Sequence, residues 1–309
     1  MRGFLKKVCI FLIIPIFFLI VGVLLPSYPG ASNTYLFAKQ DKDSLLRKTK
    51  QKRIILVGGS NLALSMNSRI LFDSLQINPI NTGLDCNIGL ANMIDNILPY
   101  IQNEDVVLFS IEYEQFFGRL VYGGYPCPVI EFEVSPWHLQ RLSINQWLYL
   151  LRYTPGYAFS RLKIWKYLTR PQVNIDGNYM RTSFNKYGDH VSHWNLKTKN
   201  PIPTKEFSGS YNPKTIGLLV DFQEKLHKNG ATLIITYPPY QTASFDYTQK
   251  QIRQVANALK STSLNVISTP ETYKMPDSLM YDSPYHLIRE GVEKRTKLVV
   301  ADIKRYFKI

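Results

Sequence analysis

Eighteen consecutive residues, VCIFLIIPIFFLIVGVLL from Val8 to Leu25, carry no charge. As a helix they extend about 27 Å, close to the ~30 Å hydrocarbon thickness of a bilayer. Lipid offers the backbone no hydrogen-bond partner, so such a segment crosses a membrane only as a helix. Arg2, Lys6 and Lys7 precede it. That bias keeps the N-terminus cytoplasmic and sends everything after Pro26 outside, a single-pass type II arrangement. A cleaved signal peptide would also have a basic start and an apolar middle, but PSYPGASN offers only Pro29 and Ala31 where small residues should flank a cleavage site. Residues 1–26 are therefore read as a cytoplasmic tip and a retained anchor. Residues 27–50 mix Ser, Pro, Gly, Asn and Lys with little hydrophobic period and read as a stalk.

From residue 51 onward, apolar runs alternate with helical patterns. IILVG from Ile54, DVVLFSI from Asp105 and ATLIITY from Ala231 are continuous runs too short for helices, as expected of strands buried on both faces. Ile77–Asn81 and SLNVIST from Ser263 complete a predicted set of five. Helices are predicted over Leu62–Leu75, Ile88–Ile101, Pro213–Asn229, Tyr247–Lys260 and Arg289–Phe307. In the last, Val292, Leu298, Val299, Ile303 and Phe307 share a broad apolar face. This alternation predicts an α/β domain with a parallel, doubly wound sheet, whose ligands bind beyond the carboxyl ends of the strands. Residues 116–212 interrupt it as an aromatic insertion containing Trp137, Trp147, Trp165 and Trp194. Those aromatics either pack a small subdomain or form a platform for sugar rings or a lid over acyl chains.

The chain has 37 basic and 23 acidic residues, a formal charge of +14. On an exported surface this favours anionic envelope polymers or phospholipid headgroups and leaves nucleic acid without a role. The densest basic run, RKTKQKR at 47–53, reads as a solvated juxtamembrane linker. Of three cysteines, Cys9 lies in the anchor, leaving Cys86 and Cys127 able to pair in an oxidising compartment or to stay free.

Two fragments carry candidate chemistry. RIILVGGSN places Ser60 and Asn61 just after a strand, and YDSPYHLIREG places Asp282 and His286 before the C-terminal helix. Together they resemble the SGNH (GDSL-like) hydrolases, over roughly residues 51–115 and 213–309. The resemblance implies a flavodoxin-like three-layer sandwich with Ser60 as nucleophile, His286 as base and Asp282 as its orienting carboxylate. It also implies an oxyanion hole from the backbone N–H groups of Ser60 and of Gly83, in NTGLD. The family's Gly-Asp-Ser reads Gly58-Gly59-Ser60 here, and Asp and His stand four positions apart, not three. Where the family places an asparagine that completes the oxyanion hole, the chain reads FSIEYEQFF. Glu112 cannot donate a hydrogen bond when ionised, so Asn61, Asn87 and Tyr113 stay open as substitute donors.

An α/β-hydrolase elbow needs Gly-x-Ser-x-Gly and a phosphate loop needs a second spaced glycine before Lys-Ser/Thr; neither is present. His190 and His193 match only a loose His-x-x-His, so no metal is expected, and no organic cofactor is required. Asp189, next to Gly188, reads as a turn residue or a cleft residue. The resulting expectation is an extracytoplasmic serine esterase or O-acyltransferase acting on a cell-surface carbohydrate or envelope polymer. The alternative is a catalytically weak accessory protein that binds an anionic polymer and assists a membrane acyltransferase.

Overall fold

Every residue of Arg53–Gly58 (β1) is buried, which is why this strand reads as one unbroken apolar run. In the computed structural model, which describes residues 2–50, 52–169 and 178–309, β1 pairs in parallel with Asn78–Asn81 (β2) on one side and Val106–Ser110 (β3) on the other. Thr232–Thr236 (β4) adds to β3, so the strand order is β2-β1-β3-β4. The pairing of Gly58 with Ser110 and Ser110 with Thr236 brings three strand ends into line. The turns that follow them therefore open at one edge of the sheet.

The predicted fifth strand is reduced to a bridge between Ile235 and Val266. Ile235 N donates to Asn265 O at 2.8 Å and Ile267 N to Ile235 O at 2.9 Å. The Asn265 side chain then takes the Leu233 carbonyl at 3.0 Å, occupying an edge group that a longer ladder would use. A separate parallel pair forms from Tyr240–Gln241 (β5) and Lys274–Met275 (β6).

Helix α1, Arg2–Leu24, contains one span long and apolar enough to cross a membrane. The segment expected to be a stalk is folded instead. Helix α2, Ala38–Lys48, packs into the body with Leu36, Phe37, Ala38 and Leu46 buried. Its polar side chains explain why no hydrophobic period announced it. Lys39 meets Asp43, Asn96 and Ser135, and Lys42 donates to the carbonyls of Asn81 at 2.9 Å and Gly188 at 2.5 Å. Burial pushes the Lys42 ammonium down to about 7, with Asp189 opposing.

The helix predicted over 62–75 is two: Ser60–Ala63 (α3) and Ser68–Leu75 (α4). Asn67 caps the second through the N–H groups of Arg69 and Ile70. Leu90–Ile97 (α5) follows, and the insertion contributes Cys127–Val129 (α6), Ile144–Arg161 (α7) and Trp165–Leu168 (α8). Residues 170–177 of the insertion lie outside the described residues. Lys214–Lys228 (α9), Thr242–Lys260 (α10) and Arg289–Phe307 (α11) complete the alternation. Trp194 packs on the main core, whereas Trp137, Trp147 and Trp165 are exposed.

Candidate functional site

Two glycines shape the turn after β1 by close approach. A Cβ on Gly59 would sit 2.8 Å from the Cys86 backbone and from Glu112 Oε2. One on Gly83 would sit 2.7 Å from Leu62 Cβ and 2.9 Å from Gly59 O. Ser60, half-buried, thus opens α3 at the carboxyl end of the sheet, with Gly83 against the same turn.

Glu112, which leaves β3, faces this turn. Its Oε1 accepts from Ser60 Oγ at 3.1 Å and from Asn61 N at 2.7 Å. Its Oε2 is buried without a hydrogen-bond partner. A carboxylate oxygen therefore takes up the Ser60 hydroxyl and the Asn61 N–H, the second of which an oxyanion could use. Burial, then the charges of Glu112 and Asp85, push the neighbouring Cys86 thiol well up. Cys86 and Cys127 are both free.

Of the other expected donors, Gly83, Asn87 and the Asn61 side chain are engaged elsewhere, and the Tyr113 hydroxyl is not. Gly83 N–H donates to Asn81 Oδ1 at 3.0 Å, and Asn87 Nδ2 donates to Asp85 at 2.9 Å. The Tyr113 hydroxyl is buried without a partner, its ring packed among Phe207, Tyr237 and Tyr240. Asn61 is wholly buried, with Nδ2 on Ser110 O and Oδ1 accepting from Ser110 Oγ and Arg295. The Asn87 and Asn61 side chains are thus held by hydrogen bonds, and Tyr113 by ring packing that leaves its hydroxyl unpartnered.

Arg295 is a residue the sequence reading missed. It is completely buried in α11 and donates to Asn61 O, Ser65 O, Asn61 Oδ1 and Ser110 Oγ. Burial lowers its guanidinium to about 9. The available signal was a lone cation on an apolar stripe, three residues after Val292 and four before Val299.

Asp282 and His286 are brought together. His286 Nδ1 lies 2.7 Å from Asp282 Oδ1, and Tyr179 donates to Asp282 Oδ2 at 2.7 Å. Burial raises the Asp282 carboxyl, but the hydrogen bond and charge of His286, with the Tyr179 hydroxyl, outweigh it and hold the group low. His286 Nε2 is buried with no hydrogen-bond partner. The loop is pinned beside the Ser60 turn because Ser65 Oγ donates to Tyr285 O at 2.9 Å and accepts from Leu287 N at 3.0 Å. Ser65, fully buried, lies in the break between α3 and α4. Ser60 itself bonds to Glu112, not to His286.

No protein-family model and no curated protein matches this chain. Its chemistry is therefore read from its own geometry. The insertion touches the same loops: Tyr179 reaches Asp282, and His193 Nε2 lies 2.9 Å from Leu64 O and 3.1 Å from Leu287 O. His190 and His193 face each other through Nδ1 at 2.9 Å, and burial pushes them down to about 3 and about 4. Among the described residues no group of three or more His, Cys, Asp or Glu could hold a metal. Asp189 is fully buried and serves the start of α4, accepting from Ser68 N at 2.8 Å and Ser68 Oγ at 2.6 Å. It also closes the turn from Asn185, whose N–H donates to Asp189 O at 2.9 Å, so the turn reading holds with the side chain buried.

Proposed function

We propose that this protein is a membrane-anchored, extracytoplasmic serine esterase or O-acyltransferase of the SGNH type, acting on a cell-surface carbohydrate or envelope polymer. The observation that carries this is the Asp282–His286 pair, whose Nε2 is buried and free beside the Ser60 turn. In the proposed reaction the Ser60 hydroxyl turns from Glu112 to His286, and Oγ attacks the acyl carbonyl. His286 Nε2 takes the serine proton and returns it to the leaving oxygen, giving an acyl-serine and a free alcohol. Water or a sugar hydroxyl then attacks the acyl-serine, losing its proton to His286, and Ser60 recovers that proton. Asp282 keeps the ring oriented, with Tyr179 on its second oxygen. The Ser60 N–H, at the start of α3, would receive the developing charge, joined by the Asn61 N–H once Glu112 gives it up. The span at the N-terminus, preceded by Arg2, Lys6 and Lys7, supports a cytoplasmic start and an outside domain.

The hold of Glu112 on Ser60 Oγ and Asn61 N favours a second reading, a catalytically weak accessory protein. In it the basic chain binds an anionic polymer and assists a membrane acyltransferase. A fluorophosphonate probe applied to the full chain and to Ser60→Ala separates the two. An adduct on Ser60 that disappears in the variant is expected for the esterase. A folded wild type that never labels, yet binds polymer as tightly as Ser60→Ala does, would move the assignment to the accessory role.

A further inference from the structure

A surface helix normally carries one apolar and one polar face. Helix α7 departs from this. Its inner face, including Leu150, Thr154 and Tyr157, is buried in the body, and Ala158 is buried under α1. Its outer stripe of Ile144, Trp147, Leu148, Leu151 and Phe159 is exposed, with Ile144 76% and Leu148 59% accessible. These positions recur at three, four and eight residues, so they line one side. The outer surface continues through Ile164, Trp165 and Leu168, the last 81% accessible. An apolar strip of this length needs a covering phase or partner.

Its place in the fold identifies that cover. Helix α1 packs on α7 so closely that a Cβ on Gly22 would meet Ala158 O at 2.4 Å. Gly22 is three residues from Leu25, about 4.5 Å along the helix axis, so Ala158 stands at the depth where the apolar span ends. The chain leaving the span is fastened to α7, to α8 and to Glu133. Arg161 donates to Leu25 O at 3.0 Å and Tyr167 to Pro26 O at 3.0 Å. Tyr28 donates to Ser160 O, Ser27 to Glu133, and the Tyr28 and Tyr167 rings lie 4.7 Å apart. Helices α7 and α8 are therefore held where an anchor emerges. Trp147, Trp165 and Tyr167 suit the headgroup level, and Arg152, Lys163 and Lys166 suit anionic headgroups.

We infer that the outer face of α7–α8 is a second membrane-contacting surface, seated in the headgroup–acyl boundary of the leaflet beside Leu25. It rests on the reading of α1 as a membrane anchor. The active-site turn would then be carried by a body that sits on the bilayer at two points and cannot swing freely about a single tether.

The test uses the full chain in liposomes of phosphatidylcholine and phosphatidylglycerol, with and without lipid dibrominated at acyl positions near the headgroup. Bromine is expected to quench wild-type tryptophan fluorescence. Trp147→Phe/Trp165→Phe should lose most of that quenching, and Trp137→Phe/Trp194→Phe should keep it. Bromine-independent fluorescence in the wild type, or equal quenching in both double variants, overturns the proposal. So does a dimer that buries Trp165 while bromine has no effect. Extraction of the same liposomes with alkaline carbonate reports the anchor separately. A chain that resists extraction but shows no quenching fails this proposal alone; a chain released by carbonate fails the anchor reading with it.

Discussion

His286 and His138 are built alike and sit in different worlds. Each ring presents Nδ1 to a carboxylate, Asp282 at 2.7 Å and Glu131 at 3.0 Å, and each Nε2 is buried without a partner. Each even has a serine nearby in the fold. Ser135, however, is buried and accepts from the Lys39 ammonium at 2.9 Å, and the cavity that Lys39, Glu131 and His138 line holds about 30 Å³. That is room for one or two waters and no acyl group. His286 instead belongs to a loop fastened to the turn that carries half-buried Ser60. A histidine–carboxylate pair alone is a structural motif; in the proposed reading it is the adjoining turn, with half-buried Ser60, that distinguishes His286 from His138.

The largest expected effect tests that distinction directly. His286→Ala should slow fluorophosphonate labelling of Ser60 by about 10³-fold or more, the scale of losing a triad member. His138→Ala should leave the labelling rate unchanged and lower the melting temperature, because it leaves Glu131 buried and unpaired. Equal losses of labelling from both variants would erase the difference between the two pairs.

A smaller effect is expected at Glu112. Replacing it by Gln removes the charge that holds Ser60 Oγ and Asn61 N, and a side-chain amide can donate to an oxyanion. Labelling should accelerate by up to about 10²-fold, the lower end of what one oxyanion donor contributes. Stopped labelling in a folded Glu112→Gln would instead make Glu112 the base and reduce His286 to the status of His138.

The smallest effect concerns pH and the neighbour of the His286 loop. Glu114 accepts from Tyr285 OH at 2.6 Å. Burial raises its carboxyl to about 7, against the Tyr285 hydrogen bond and with the Glu112 charge adding. The folded state then keeps a proton that the unfolded chain releases above its ordinary value of 4.5. Stability should fall as pH rises between those values, with the loss complete above about 7. Urea unfolding across this range should show the slope in wild type and a flatter profile in Glu114→Gln. An unchanged slope would place the titration elsewhere.

Particular residues show where sequence was legible. Continuous apolar runs marked β1, β3 and β4 because parallel strands bury both faces, and the stripe through Val292, Val299 and Ile303 marked α11. Asp282 and His286 were legible as a pair because one loop carries both. Helix α2 was not, since Lys39, Lys42 and Asp43 are buried through specific polar partners that leave no hydrophobic period. Tyr179 could not be tied to Asp282 from 103 residues away. Nor could Glu112 be assigned to Ser60 Oγ, as a side chain's partner depends on how two strand ends line up.

What the sequence by itself determined is therefore local and periodic: an uncharged span, buried strands, an amphipathic last helix and a histidine four residues from an aspartate. Those features depend on residues near one another in the chain. The tertiary structure alone decided that Glu112 holds the Ser60 hydroxyl, that Arg295 braces the turn behind it, and that α7 is fastened to the end of the N-terminal apolar helix. Each joins groups distant in sequence, and only the packed sheet and helices bring such groups within hydrogen-bond reach.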